Sequence, residues 1–468
     1  MAQGPGAYLS DTGNAMPAAM SSRQSSTQNP FSGSVPAGTV STEVISLSLS
    51  DAIDRGLRQN LGLLMGNDDV LSSRGRLGQA RSVLLPNFSA NLSETLAQED
   101  LASLGFEKLA KLFPGPGFPD VVGPFNYFDA RAGVTQSVLD LSALRNERAA
   151  AENLNADKLS FQDMREVVVL VITSSYLQAI ATQARVDTVQ AQVQTAKALF
   201  DQTTDQKNAG LAAGIDLLRA QVELQTQQQQ LIAAQNDFSK QKLVLARAIG
   251  LPLAQPFTLS DSAPYEPPAP VNIEEQMKSA YASRADFQGA QARVQSAESA
   301  LRAAAAEHLP SLTAHADYGD TGINPSQSHG SFTAYGNLHI PIFAGNRTRA
   351  DETVAQSDLD RNRQELENLR AQIEQEIRTA ALDLQSASDQ VSVARNSVDL
   401  AQQALAQSRD RFRAGVTDNI EVVQAQEAVA TINESYISSL YAYNLARVQL
   451  ARATGSAERS VREYWKGK

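Results

Sequence analysis

The chain has 468 residues, of which 6% are aromatic and none is cysteine. The lack of cysteine excludes a disulfide scaffold, a thiol nucleophile, a cysteine-based metal site and an acylated lipoprotein anchor. Its 40 basic and 51 acidic residues give a net charge of -11. This charge argues against a nucleic-acid partner, because phosphate-binding proteins gain affinity from an excess of Lys and Arg.

The first 42 residues are rich in Gly, Ser, Pro and Ala, and Asp11 and Arg23 are their only charges. This composition predicts a flexible N-terminal tail, because the segment offers too little apolar surface to order itself. The segment also lacks the basic start and apolar core of a signal peptide. The chain is therefore either cytoplasmic or has already lost an export signal.

An internal duplication organises the rest of the chain. Leu49–Ile53 and Ile273–Met277 open similar helical patterns 224 positions apart, and both patterns end on Leu-Pro, at 85–86 and 309–310. Two further pairs of segments match at an offset of 205: Asn208–Asp216 with Arg413–Glu421, and Leu245–Gly250 with Leu450–Gly455. Each half is predicted to run as a medium helix, a Pro-led segment, a long helix, a Gly turn and another medium helix.

The duplication sets the predicted boundaries. A flexible tail (1–42) precedes the first repeat (43–250), and a Pro-rich linker (251–272) leads to the second repeat (273–455). A C-terminal tail (456–468) ends the chain.

The two long helical patterns have the character of coiled coils. From Ile373 onward, apolar or small residues recur at alternating spacings of four and three, as far as Leu405 and Phe412. A heptad kept this long predicts a coiled-coil seam. Helices of about 141–207 and 344–412 would each be on the order of 100 Å long. No stretch approaches the roughly 18 consecutive apolar residues of a transmembrane helix.

Four segments switch to a period of two, at about 87–97, 127–139, 310–319 and 331–343. Apolar residues such as Phe88 and Leu92 alternate with small polar ones such as Ser89 and Asn91. Such strands are near the length that crosses an outer membrane. The alternative is a pair of soluble hairpins packed on helices. Four strands cannot close a membrane barrel, whereas three copies of the chain would supply twelve.

The duplicated halves, the Leu-Pro before each strand hairpin, and two Gly turns followed by an acid together resemble the outer-membrane efflux protein (TolC) family. The resemblance covers roughly residues 45 to 455. It implies a mainly α fold with a membrane β-barrel: a homotrimer with a 12-stranded barrel in the outer membrane, continued by a helical barrel through the periplasm. It also implies a passive exit duct for tripartite efflux or type I secretion. The implied partners are outer-membrane lipid, a periplasmic adaptor (membrane fusion) protein and an inner-membrane RND, ABC or MFS pump.

The resemblance also suggests sites at the periplasmic end. Asp216 and Glu421 match the positions of an acidic pore constriction, where like charges would attract cations. The alternative is that both acids only suit the N-terminal dipole of a helix. The best-known member has a Tyr and an Arg where this chain has Phe412 and Thr417, so the family's gate lock is not expected here. Arg409, Arg411 and Arg413 are nearby candidates for a substitute lock. The alternative is that these arginines only form a solvated helix face.

The hairpin tips match the family's adaptor contacts. These positions are Gly210, Leu211, Gly415 and Val416, where glycine permits a tight reversal and leaves backbone accessible. The alternative is that each glycine only ends its helix.

No enzyme, cofactor or metal site is predicted. The sequence has no Gly-rich phosphate loop, nucleophile elbow or catalytic carboxylate pair. His308, His315, His329 and His339 lack metal-binding spacing, and a pore-lining role is favoured for His315 and His339. A soluble trimeric coiled-coil scaffold without a pore is the alternative to a channel, and an enzyme is a third class.

Overall fold

The computed structural model describes residues 30–101, 103, 119–417 and 419–466. Most of this chain is helical. The helices are α1 (Leu49–Gln59), α2 (Leu61–Ser82), α3 (Leu141–Asn208), α4 (Gly214–Ile249), α5 (Ile273–Ser283), α6 (Ala285–Ala306), α7 (Arg347–Arg413), α8 (Asn419–Ala453) and α9 (Ala457–Lys466).

The strands form two separate sheets. A short parallel pair joins β1 (Ile45–Leu47) to β4 (Phe257–Leu259), and an antiparallel sheet has the order β2-β3-β5-β6. The four strands of the larger sheet are β2 (Asn87–Asp100), β3 (Val121–Leu139), β5 (Ser311–Gly322) and β6 (Ser328–His339). They occur at the four segments whose alternation predicted them.

Two long helices run the length of the helical part. Helices α3 and α7 have 68 and 67 residues, which corresponds to about 100 Å each. The shorter helices pack along them: α2 and α4 lie against α3, and α6 and α8 lie between α3 and α7. The predicted heptad of α7 is largely buried in this packing, at Ile373, Ile377, Ala380, Leu384, Ala387, Val391, Ala394 and Ala401.

Helix α3 contains one window that is long and apolar enough to cross a membrane by composition. Half of that window is buried inside the protein. Val168, Ile172 and Tyr176 from this region are fully buried in the main hydrophobic core with Leu49 and Ile249. The apolar character of α3 is therefore explained by its place in the core.

Each half breaks its medium helix at the same point of the repeat. Asn60 separates α1 from α2, and Arg284, 224 positions later, separates α5 from α6; both have extended backbone angles. Asn60 is fully buried, accepts from the Gly62 N–H at 2.9 Å and donates to the Phe31 carbonyl at 2.7 Å. The sequence pattern predicted α1 and α2 as one continuous helix, and α5 and α6 as another, because such a break leaves the apolar periodicity almost unchanged.

A glycine packs closely against each helix break. Gly250 and Gly455 end α4 and α8 in the left-handed region, with φ of 68° and 72°. A Cβ on Gly250 would lie 2.7 Å from the Cβ of Gln59, and a Cβ on Gly455 would lie 3.0 Å from the Cα of Arg284. Both glycines are therefore required by backbone angle and by space, which explains why the repeat includes them.

Arg284 fills the second break with a buried ion network. Only 2% of its side chain is exposed. Its guanidinium donates to both carboxylate oxygens of Asp286, at 3.0 and 2.6 Å, to Glu376 at 2.6 Å and to the Ala453 carbonyl at 3.1 Å. Burial alone would raise the pKa of Asp286, but the hydrogen bonds and charge of Arg284 hold that pKa below its ordinary value.

The expected flexibility of residues 1–42 does not hold for the part that the structure describes. The Ser34 and Val35 N–H groups donate to the carbonyls of Arg247 and Gln59, and Phe31 packs against the main core. Polar composition missed this anchoring because the partners lie in α1 and α4, distant in sequence. Residues 1–29 lie outside the described part.

The linker and the C-terminal segment are also built into the fold. Tyr443 and Asn444 of α8 donate to the linker carbonyls of Glu266 and Pro264. The segment expected to be a C-terminal tail contains α9, which buries Val461 in the main core. These contacts depend on tertiary packing rather than on local sequence.

Candidate functional site

The register of the four-stranded sheet places the alternating residues on two opposite faces. One cross-strand row is Ala90, Ala132, Tyr318 and Phe332, and the adjacent row is Ser89, Gly133, Asp317 and Thr333. The sheet thus has one apolar face and one polar face, as the period of two predicted.

The apolar face is uncovered in the single chain. The exposed fractions are 81% for Phe88, 73% for Leu92 and 78% for Phe332. Within the described residues, none of these strands has an extensive contact with a helix. Soluble hairpins packed on helices would bury this face, so the structure contradicts that alternative. An uncovered apolar band on a sheet is what a lipid-facing surface requires.

The strands are longer than a minimal membrane crossing, with 14, 19, 12 and 12 residues for β2, β3, β5 and β6. About 9–11 residues suffice for a tilted strand. Strand β3 begins at Val121, six residues before its expected start. Strand β6 ends at His339 rather than at the expected residue 343. The pairing stops early because Pro341 has no N–H to donate to the neighbouring strand.

A charged network spans three strands on the polar face. Arg131 of β3 donates to Asp129 at 3.0 Å, to Asp317 of β5 at 2.5 Å and to Ser331 of β6 at 3.0 Å. His315 contacts the other oxygen of Asp317 at 3.1 Å. The sequence placed these side chains on a polar face, but only the strand register brings them together.

His315 and His339 are separated along the sheet. His315 pairs in register with Tyr335 and His339 pairs with Ser311, so the two histidines lie four residues apart along the ladder. In the described part of the chain, no group of three or more His, Cys, Asp or Glu is placed to hold a metal.

The two Gly turns form the ends of the helical hairpins. Gly210 and Gly415 have φ of 75° and 67°, and a Cβ on either would meet nothing within 4 Å. The Leu211 N–H reaches the Gln206 carbonyl at 2.8 Å, and the Val416 N–H reaches that of Arg411 at 3.0 Å, closing the same turn in both halves. Leu211 and Val416 are 81% and 69% exposed. The four predicted tip residues therefore lie at two matching, accessible turns.

The two acids lie in the first turns of α4 and α8. Asp216 pairs with Arg219 at 3.3 Å. Glu421 accepts from Thr417 at 2.7 Å and pairs with Arg411 at 3.4 Å. Of the three arginines considered as a substitute lock, Arg411 is the one that reaches a predicted gate residue within the chain.

Asn419 joins the two hairpin tips and was missed by the sequence reasoning. It is fully buried, and its side-chain N–H donates to the Asp216 carbonyl at 2.8 Å. Beside it lies the tip cluster, a hydrophobic group made of Leu199, Ala220, Phe412 and Val422. The repeat pairs Asn419 with Gly214 at the offset of 205, so the duplication did not single it out, and its partner could not be read from the sequence.

Most of the chain has the sequence pattern of one family. Residues 52–251 and 277–456 match the family described as Outer membrane efflux protein. The chain belongs to this family, whose members are channel proteins. It is 24% identical over 338 residues to the pyoverdine export outer membrane protein OpmQ of Pseudomonas putida, with 70% of each chain covered. It is 21% identical over 397 residues to the outer membrane protein TolC of Escherichia coli, covering 81% of this chain and 76% of that one.

Solved structures show the same fold. A membrane protein from Pseudomonas aeruginosa superposes with a TM-score of 0.75 at 18% identity, covering 90% of this chain and 96% of that one. The CmeC outer membrane channel of Campylobacter jejuni gives 0.75 at 16% identity, covering 89% and 88%. The protein is thus an efflux channel of the outer membrane that extends into the periplasm, and the soluble scaffold is not supported.

Proposed function

We propose that three copies of this chain close a continuous duct, with the polar face of the sheet lining its outer-membrane part. The observation that carries the proposal is the uncovered apolar face beside a polar face in a four-stranded sheet with two free edges, β2 and β6. Twelve strands exceed the minimum of about eight for a membrane barrel, and an even number keeps every neighbour antiparallel.

The helical part offers matching edges. In the half near the tips the helices follow the order α4-α3-α8-α7, so α4 and α7 are the outer members. Both carry exposed apolar side chains: Leu218, Val222 and Ile232 on α4, and Leu382, Val393 and Leu400 on α7. Contact between α4 of one copy and α7 of the next would bury these residues and extend the duct into the periplasm.

We infer that the periplasmic end docks an adaptor protein and, through it, an inner-membrane pump. The support is the pair of exposed tips at Gly210, Leu211, Gly415 and Val416, whose backbone and apolar side chains a partner can reach. Transport by the pump would then need no chemistry from this chain.

A measurement of mass and conductance tests the duct. The chain is exported, extracted from the outer membrane in detergent and incorporated into a planar bilayer. The expected result is a trimeric mass together with discrete single-channel currents. A monomer, or a trimer without conductance, contradicts the proposal.

The acids at the tip are proposed as the constriction. Three copies of Asp216 and Glu421 would place six carboxylates near a narrow pore, a field that attracts cations. The side chains of both acids keep some solvent contact, at 18% and 37% exposure.

Replacing Asp216 with Asn and Glu421 with Gln is therefore expected to weaken block by a trivalent cation added on the periplasmic side by about tenfold or more. The measurement is the blocking concentration in single-channel recordings. Asp201→Asn with Glu427→Gln removes the same charge from exposed positions farther along the same hairpins and serves as the control. Equal blocking concentrations in the wild-type protein, the double variant and the control would contradict the gate proposal.

A further inference from the structure

A cavity of about 230 Å³ lies between the two helical hairpins. Helices α3, α4, α7 and α8 all contribute to its wall, and it sits about one helical turn from the tip cluster. Its lining is mainly amide and hydroxyl side chains: Thr188, Gln192, Thr195, Gln402 and Asn433. The volume exceeds the roughly 10–15 Å³ that a cavity of this kind needs to hold one water molecule. The cavity therefore has room for a small guest.

Glu223 brings a buried carboxyl group to this cavity. Its side chain is 7% exposed, and it accepts one hydrogen bond, from the Gln227 amide at 2.8 Å. Within the residues that the structure describes, it forms no salt bridge. A carboxyl group with one accepted hydrogen bond keeps further oxygen lone pairs that a ligand can use.

Two buried amides at the same cavity have unpaired atoms. The side-chain oxygens of Gln227 and Gln426 have no hydrogen-bond partner, so both are available as ligands. The unpaired Gln426 side-chain nitrogen is a donor and takes no part in binding a cation. These side chains are 5% and 7% exposed. Buried polar atoms in native proteins are nearly always satisfied, so these point to a bound species.

We propose that this cavity binds a small monovalent cation of the alkali-metal class, with ligands from the Glu223 carboxylate and the side-chain oxygens of Gln227 and Gln426. Hard cations take oxygen ligands, and one carboxylate balances one positive charge, whereas divalent sites usually include more carboxylates. Glu223 belongs to α4 and Gln426 to α8. The bound cation therefore links the two hairpins beside the tip cluster.

Anomalous diffraction locates the ion directly. Crystals of the full-length protein grown with rubidium chloride as the only alkali salt are expected to show a rubidium peak in the cavity beside Glu223. The Glu223→Gln protein is expected to lose the peak. Glu427→Gln removes one charge from an exposed position one residue beyond Gln426 and is expected to keep it.

The same variants are compared in solution at constant ionic strength. Replacing N-methylglucamine chloride with rubidium chloride is expected to raise the unfolding midpoint of the wild-type protein and of Glu427→Gln on the order of 2 °C, and that of Glu223→Gln not at all. The cation site is contradicted if the cavity contains water but no anomalous peak. It is also contradicted if rubidium raises the unfolding midpoint of Glu223→Gln as much as that of the wild-type protein. Currents in the planar bilayer test the duct separately, so failure of one proposal is distinguishable from failure of the other.

Discussion

Replacing Leu92 with arginine is expected to destabilise the barrel by about 2–4 kcal/mol, because it places a charge on the face that meets lipid. Leu92 lies within β2 and is 73% exposed in the single chain, on the same face as Phe88 and Phe332. The expected result is a severe loss of folded protein in the outer membrane. The free energy of unfolding of the refolded protein in lipid vesicles measures the effect.

Ser93→Arg is the matched control for that substitution. Ser93 is the next residue of the same strand, at nearly the same depth but on the polar face, and it pairs in register with Asp129. An arginine there gains an acidic neighbour and remains in water, so a change within about 0.5 kcal/mol is expected. Equal losses from both substitutions would show that the two faces do not differ in environment.

Replacing Arg284 with methionine is expected to destabilise the helical part by about 3–5 kcal/mol. The substitution keeps much of the side-chain volume but removes the buried cation that Asp286 and Glu376 share, whose side chains are 19% and 37% exposed. Unfolding of the purified protein in denaturant, followed by the fluorescence of Trp465 on α9, provides the measurement. Arg302→Met changes an exposed arginine on α6 with only a surface ion pair and is expected to cost less than about 0.5 kcal/mol.

The pH dependence of the Arg284 variant supplies a second readout. Because the folded protein holds the pKa of Asp286 below its ordinary value, the stabilisation is present above the ordinary pKa of an unfolded aspartate and is lost as pH falls through the lower folded pKa. The difference in free energy of unfolding between the wild-type protein and Arg284→Met should therefore shrink on acidification through that range. A constant difference at every pH would mean that packing, rather than charge, accounts for the loss.

Several features of the fold followed from periodicity alone. The heptad placed α7 within a few residues of its true ends, because a helix of this length is decided by many repeated contacts rather than by its caps. The alternation in β2, β3, β5 and β6 assigned the correct face to residues such as Phe88 and Ser89, since a period of two leaves only two choices. Strand ends were less accurate because ladder partners, as well as local residues, decide where pairing stops.

The candidate site was predictable only in part. The Gly turns and the acids after them could be found because the duplication repeats them at a fixed offset. Asn419 was assigned no role, and Arg411 could not be told apart from Arg409 and Arg413. A hydrogen bond to the Asp216 carbonyl and an ion pair with Glu421 both depend on how the chain packs at the tips.

The sequence by itself determined the repeat, the long helices, the two-faced strands and the lack of cysteine chemistry, because each is a local or periodic property of the chain. The tertiary structure decided which distant side chains meet: Arg131 with Asp317, Arg284 with Glu376, and Glu223 with a cavity between two hairpins. The physical reason is that burial and charge pairing depend on packing between distant segments, up to the 408 residues that separate Arg462 from Asp54. Periodicity within one segment carries no information about its neighbours.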